Sequence, residues 1–115
     1  MMLKLNAKKV ADLVYKIAEC NGIEVIKAYC SGDNEEYPDS FSMYFVLKYK
    51  LVVKKIRISN HTRQHKYSKV QRLLKSITVN KKTSLKDIEK FILNRIDDVK
   101  RGSLYETLNY ISQSA

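Results

Sequence analysis

Residues 40–61, "SFSMYFVLKYKLVVKKIRISNH", decide the fold because the whole run has the composition of β-strand. It is much longer than the roughly 5 to 6 residues of a usual strand, so it predicts two strands joined by a turn near Tyr49 and Lys50. Side chains of a strand alternate between its two faces. One face carries apolar side chains: Phe41, Met43, Phe45, Leu47, Val52, Ile56 and Ile58. The other face carries polar and basic ones: Ser42, Tyr44, Lys48, Lys55, Arg57, Ser59 and His61.

A helix and a further strand are predicted before this hairpin. Residues 7–20, "AKKVADLVYKIAEC", place Val10, Val14 and Ile17 at helical spacing. The run "IEVIKAYCS" at residues 23–31 is rich in β-branched and aromatic residues and predicts the first strand of the sheet. The acidic segment "GDNEEYPD" that follows is typical of a solvated loop.

Helices are predicted after the hairpin. Residues 67–77, "YSKVQRLLKSI", place apolar side chains on one helical stripe, and residues 77–83, "ITVNKKT", predict a linker or a brief edge strand. Residues 84–102 predict the clearest helix, which begins with Ser84 and Asp87 at capping-box spacing and ends at a glycine, and residues 103–111 predict a short last helix. The sequence therefore predicts a single α+β domain over residues 1–115, with an N-terminal helix, a three-stranded antiparallel sheet and two or three C-terminal helices.

The distribution of charge indicates the class of partner. The chain has a formal net charge of +10, and the 47 residues from Ser40 to Lys86 contain no acid. They contain thirteen cations: Lys48, Lys50, Lys54, Lys55, Arg57, Arg63, Lys66, Lys69, Arg72, Lys75, Lys81, Lys82 and Lys86. A block of one sign favours a polyanionic partner, most commonly nucleic acid, with an acidic membrane surface or an acidic protein as alternatives.

The stretch "RISNHTRQHKY" at residues 57–67 lies inside this block and holds both histidines of the chain. Cations for phosphates and rings for bases predict a nucleic-acid site on the sheet face and the helix after it. Its residues are Tyr44, Lys48, Lys55, Arg57, His61, Arg63, Lys66, Lys69 and Arg72. Arg57 and Arg63 are expected to pair with phosphates bidentately, and His61 to bind a phosphate or cap the strand end. No cofactor is expected.

Two other chemistries fit the same stretch. His61, His65 and Tyr67, with Arg63 and Lys66, are residue types of a metal-independent ribonuclease, which needs a proton carrier and a cation beside the phosphate. A metal site is less favoured because no acid or cysteine accompanies the two histidines. Cys20 and Cys30 have no metal-ligand spacing and are expected to be small core residues, with a disulfide between them as the alternative.

Two resemblances bear on function. The order of helix, three strands and helix over residues 7–77 resembles the double-stranded RNA-binding domain, and this resemblance implies duplex binding. That family's Lys-Lys-x-Ala-Lys helix start is replaced here by "YSKVQRLLK". No binding residue of the family is therefore carried over to this chain. The strand end Arg57 to His61 resembles the Arg-x-Ser-Asp/Asn-His strand ends of small bacteriophage and mobile-element proteins. That likeness implies a cytoplasmic protein of a bacterial host cell that acts on nucleic acid, or an anti-CRISPR-like factor that binds a host nucleic-acid machine. No membrane association is expected, and oligomeric state stays open.

Overall fold

The computed structural model describes residues 1–32, 39–61 and 74–114, with side chains as far as residue 102. A 3-10 turn (Lys4–Asn6) leads into helix α1 (Ala7–Cys20), and the chain ends in helix α2 (Leu85–Ser114). Between the helices lie strands β1 (Glu24–Gly32), β2 (Phe41–Tyr49), β3 (Val52–Ser59) and β4 (Leu74–Thr78). The strands form one sheet in the order β1-β2-β3-β4, in which β2 is antiparallel to both neighbours and β3 and β4 are parallel.

The alternation predicted for the hairpin is confirmed. Met43, Phe45 and Leu47 of β2 are buried in the same core as Ile56 and Ile58 of β3. Apolar side chains of both helices complete this core: Val10, Val14 and Ile17 of α1, and Ile88, Ile92, Ile96 and Val99 of α2. Both helices therefore cover the same face of the sheet, and the other face carries the polar side chains. The turn lies at Lys50 and Leu51, where Lys50 adopts a left-handed φ of 54°.

The predicted three-stranded antiparallel sheet is wrong in detail, because a fourth strand pairs with β3. Leu74 and Ile77, the predicted end of the helix at residues 67–77, belong to β4, and residues 67–73 of that predicted helix lie outside the described residues. Two apolar residues three positions apart fit one stripe of a helix. The same spacing is also compatible with a strand when β-branched residues surround the pair. The backbone of β3 offers hydrogen-bonding groups along its free edge, and β4 pairs with them. Val79 continues the contact by donating its N–H to the Ser59 carbonyl oxygen at 2.6 Å.

The C-terminal region is one helix and not two. Ser84 and Asp87 form the predicted capping box: the Ser84 N–H donates to Asp87 Oδ2 at 2.8 Å, and the Asp87 N–H donates to Ser84 Oγ at 3.3 Å. The predicted end at Gly102 is wrong, since α2 continues to Ser114. A glycine inside a helix costs only about 1 kcal/mol relative to alanine, so a long helix can tolerate it.

Neither cysteine is a core residue, which corrects the prediction for both. Cys20 is the last residue of α1 and Cys30 lies on the edge strand β1, and both are exposed free thiols. Within the described ranges, no helix is long and apolar enough to cross a membrane.

Candidate functional site

The face of the sheet away from the helices, here called the polar face, carries three rows of side chains that cross the strands. Residues directly opposite each other on neighbouring strands share a face, so the pairing of the strands defines each row. The aromatic row consists of Tyr29, Tyr44, Arg57 and Ser76. The hydroxyl row consists of Ser31, Ser42, Ser59 and Thr78, and the lysine row of Lys27, Val46, Lys55 and Leu74. Lys48 lies beyond the lysine row, opposite Glu24.

Two tyrosines and two lysines form a tyrosine–lysine cluster at the β1 side of this face. The rings of Tyr29 and Tyr44 stack with their centroids 4.8 Å apart and their planes 12° from parallel. Lys55 Nζ lies 4.8 Å from the Tyr29 centroid and 5.0 Å from the Tyr44 centroid. Lys27 Nζ lies 5.2 Å from the Tyr29 centroid. Such cation–π contacts contribute about 0.5–1 kcal/mol each at exposed sites, so the rings hold both ammonium groups near the sheet surface.

Arg57 occupies the centre of the polar face and is almost completely buried, with 2% of its surface exposed. Its Nη1 donates to Ser76 Oγ at 2.9 Å, and its Nη2 donates to the His61 carbonyl oxygen at 3.0 Å. Its Nε is buried without a hydrogen-bond partner. The predicted bidentate contact of Arg57 with a phosphate is therefore not available in this arrangement, because the guanidinium group is enclosed and holds β3 to β4.

His61 is held as a neutral imidazole at the end of β3. Its Nε2 lies 3.3 Å from Arg57 Nη2, which can only donate, so Nε2 accepts and the ring proton is on Nδ1. Nδ1 lies 3.0 Å from Asn60 Oδ1 and 3.1 Å from Ser59 Oγ. Although the residue as a whole is exposed, partial burial of the ring lowers the pKa of His61, and the nearby charge of Arg57 lowers it further.

Asn60 and Ser59 connect the end of β3 to the start of β2. Asn60 Oδ1 accepts the N–H of Phe41 at 2.9 Å, and its Nδ2 donates to the Asp39 carbonyl oxygen at 2.7 Å. Ser59 Oγ donates to the Phe41 carbonyl oxygen at 3.2 Å and lies 2.8 Å from Ser42 Oγ. The sequence Arg57 to His61 thus forms a hydrogen-bonded network, named here the strand-end network, that fixes the edge of the polar face.

The lowered pKa of His61 makes stability depend on pH in one direction. Between the ordinary pKa near 6.5 and the lower folded pKa, the unfolded chain binds more protons than the folded chain, so stability falls as the pH decreases through this range. His61→Gln removes this contribution and leaves every other titrating group in place. The excess stability of the parent over H61Q in urea denaturation should therefore shrink between about pH 7.5 and about pH 5. A difference that stays constant with pH would contradict the assigned environment.

Four of the predicted site residues share the polar face: Tyr44, Lys48, Lys55 and Arg57. His61 follows at its edge. Four others lie outside the described residues: Arg63, Lys66, Lys69 and Arg72. The same holds for His65 and Tyr67, so of the two histidines and the tyrosine proposed for ribonuclease chemistry only His61 is placed, with both ring nitrogens engaged within the chain.

Sequence reasoning missed Tyr29 and Lys27, which belong to the same face. Their strand has an irregularity in its pairing between Val25 and Lys27, where one extra residue shifts the alternation of side chains. A count of alternating positions from the start of the strand therefore assigns the wrong face. Their spacing of two residues was the signal that could have paired them with each other.

No group of three or more histidine, cysteine or acidic side chains able to hold a metal occurs in the part of the chain that the structure describes. The chain matches no protein-family model, and neither the curated proteins nor the solved structures contain a significant match to it.

Proposed function

We propose that the chain binds nucleic acid through the polar face of its sheet. The observation that carries this proposal is the tyrosine–lysine cluster, in which Lys27 and Lys55 flank two stacked rings on the face opposite the helix-packed core. Aromatic rings offer stacking surfaces to bases, and lysines offer positive charge to phosphates. No cofactor is needed for this binding.

The charge of the sheet supports the same proposal. The four strands carry six cations and one acid: Lys27, Lys48, Lys54, Lys55, Arg57, Lys75 and Glu24. Three exposed or partly exposed lysines of this set lie on the polar face: Lys27, Lys48 and Lys55. Arg63, Lys66, Lys69 and Arg72 follow β3 in sequence and would add further phosphate contacts. Arg57 does not take part as a ligand; its buried side chain holds β3 to β4 within this face.

An acidic surface on a host nucleic-acid machine is the rival partner, since carboxylates also attract lysines. The stacked tyrosines favour nucleic acid, because a carboxylate surface makes no use of two parallel rings while a base does. If the chain binds no oligonucleotide, a pull-down tests the rival partner. A host protein that still co-purifies with the chain after nuclease treatment would favour the protein partner.

The salt dependence of affinity tests the electrostatic part of the proposal. If three or four phosphates are neutralised, the affinity for a short labelled oligonucleotide should fall roughly 20- to 50-fold between about 50 mM and about 200 mM salt. Fluorescence anisotropy at several salt concentrations gives the slope of log affinity against log salt. An affinity that stays nearly constant over this range would refute a phosphate-binding face.

A further inference from the structure

We infer that the nucleic acid is bound as a single strand, with one base stacked on the ring face of Tyr29 that is turned away from Tyr44. This inference rests on the proposed function and specifies the form of its ligand. It starts from the position of Tyr29 at the end of the aromatic row, on the edge strand β1.

Among the described residues, the ring face of Tyr29 that is turned away from Tyr44 has no aromatic neighbour. Tyr44 lies between two neighbours, with the Tyr29 ring on one side and Arg57 on the opposite strand. Tyr29 has the Tyr44 ring on one face only, and no further strand pairs with β1 among the described residues. Lys27 Nζ, at 5.2 Å from the Tyr29 centroid, belongs to an exposed and flexible side chain that a base can displace. A base placed there would extend the existing stack by one ring.

Lys27 and Lys55 lie close to the path that the sugar–phosphate backbone of such a nucleic-acid strand would take. Lys55 Nζ lies within 5.0 Å of both ring centroids, and Lys27 lies on the other side of its row partner Val46, on β1. Once a base displaces it from the ring, the Lys27 ammonium is free to pair with the phosphate of the same nucleotide. The Tyr29 ring therefore stacks on a base, and Lys27 and Lys55 bind the phosphate backbone of the same strand beside it.

A nucleic-acid duplex cannot stack a base on the Tyr29 ring in this way. Its bases are already stacked on each other, so an aromatic side chain gains contact only with bases that are splayed out of a helix. Single-strand binding proteins use aromatic side chains for this purpose, and removal of one stacking ring lowers affinity by about 5- to 100-fold. The polar face therefore predicts a preference for single-stranded over double-stranded nucleic acid, and this preference depends on Tyr29.

The experiment measures anisotropy of a labelled oligothymidylate of roughly ten nucleotides, alone and annealed to its complement, at one fixed salt concentration. The parent chain should bind the single strand more tightly than the duplex. Tyr29→Ala should lower single-strand affinity by about 5- to 100-fold and leave duplex affinity unchanged, whereas Tyr29→Phe should retain the parent affinity. Tyr29→Leu serves as a second ring-free variant in case the alanine variant does not fold.

The matched control is Tyr15→Ala, which removes an exposed tyrosine from α1 on the helical side and should leave affinity unchanged. Circular dichroism and thermal unfolding establish that each variant is folded. Equal affinity of the parent for both probes, or unchanged single-strand affinity of folded Y29A and Y29L, would overturn the inference while the proposed function stands. Failure of the parent to bind either probe would instead remove the proposed function.

Discussion

Replacement of Arg57 by alanine is expected to lower the free energy of unfolding by about 2–4 kcal/mol, because three hydrogen bonds and a large buried side chain are lost together. Ser76 Oγ, the His61 carbonyl oxygen and His61 Nε2 would each lose a donor. These contacts tie β3 to β4 and to the strand-end network, so the loss should affect the edge of the sheet first. Urea denaturation of parent and variant measures the difference.

Two further variants separate a supporting role for Arg57 from a ligand role. Arg57→Met fills a similar volume without a buried charge and should recover much of the stability lost in R57A, since apolar replacement of buried charges is often well tolerated. Arg57→Lys keeps the charge but lacks the planar fork that reaches Ser76 and His61 together. Folded R57M should bind a single-stranded oligonucleotide as tightly as the parent. Loss of affinity in folded R57M would show that the guanidinium contacts a phosphate after all.

Reversal of the three polar-face lysines is expected to have the largest effect on binding. The triple variant K27E/K48E/K55E replaces attraction by repulsion at three points on one face, so affinity for a single-stranded oligonucleotide should fall about 100-fold or more at low salt. Fluorescence anisotropy of the labelled oligonucleotide measures the loss. Raising the salt concentration should reduce the difference in affinity between the variant and the parent, because screening weakens both attraction and repulsion.

The chain offers a matched control for this experiment on α1. Lys8, Lys9 and Lys16 are also exposed, and their reversal to glutamate changes the net charge by the same amount. The α1 triple variant should bind nearly as tightly as the parent, apart from a small effect of total charge. Equal losses in the two triple variants would mean that net charge alone drives binding and that the polar face has no special role.

Local sequence was sufficient to predict the two faces of the β2–β3 hairpin and the start of α2. In the hairpin, most alternate residues from Phe41 to Ser59 differ strongly in polarity, so that one orientation of the strands buries most of the apolar side chains. At α2, Ser84 and Asp87 satisfy each other's backbone N–H groups within four residues. Both features depend on neighbours in the chain, which is why spacing alone revealed them.

Features that depend on distant partners could not be predicted in this way. β4 is defined by pairing with β3, and the spacing of Leu74 and Ile77 fits both a short strand and the end of a helix. The burial of Arg57 likewise requires Ser76 from β4, so the sequence suggested an exposed phosphate ligand where the structure has a supporting residue. Alternation alone does not place Tyr29 on the polar face, because the irregular pairing of β1 shifts that alternation by one residue.

The measurement that tests the proposed interface most directly is a titration of the isotope-labelled chain with a short single-stranded oligonucleotide, followed by amide chemical shifts in NMR spectra. The largest shifts are expected at amides around Tyr29, Tyr44 and Lys55, with further shifts in residues 62–73 and almost none in α1. Shifts that concentrate on α1 and the exposed side of α2, or that spread evenly over the molecule, would contradict binding through the polar face.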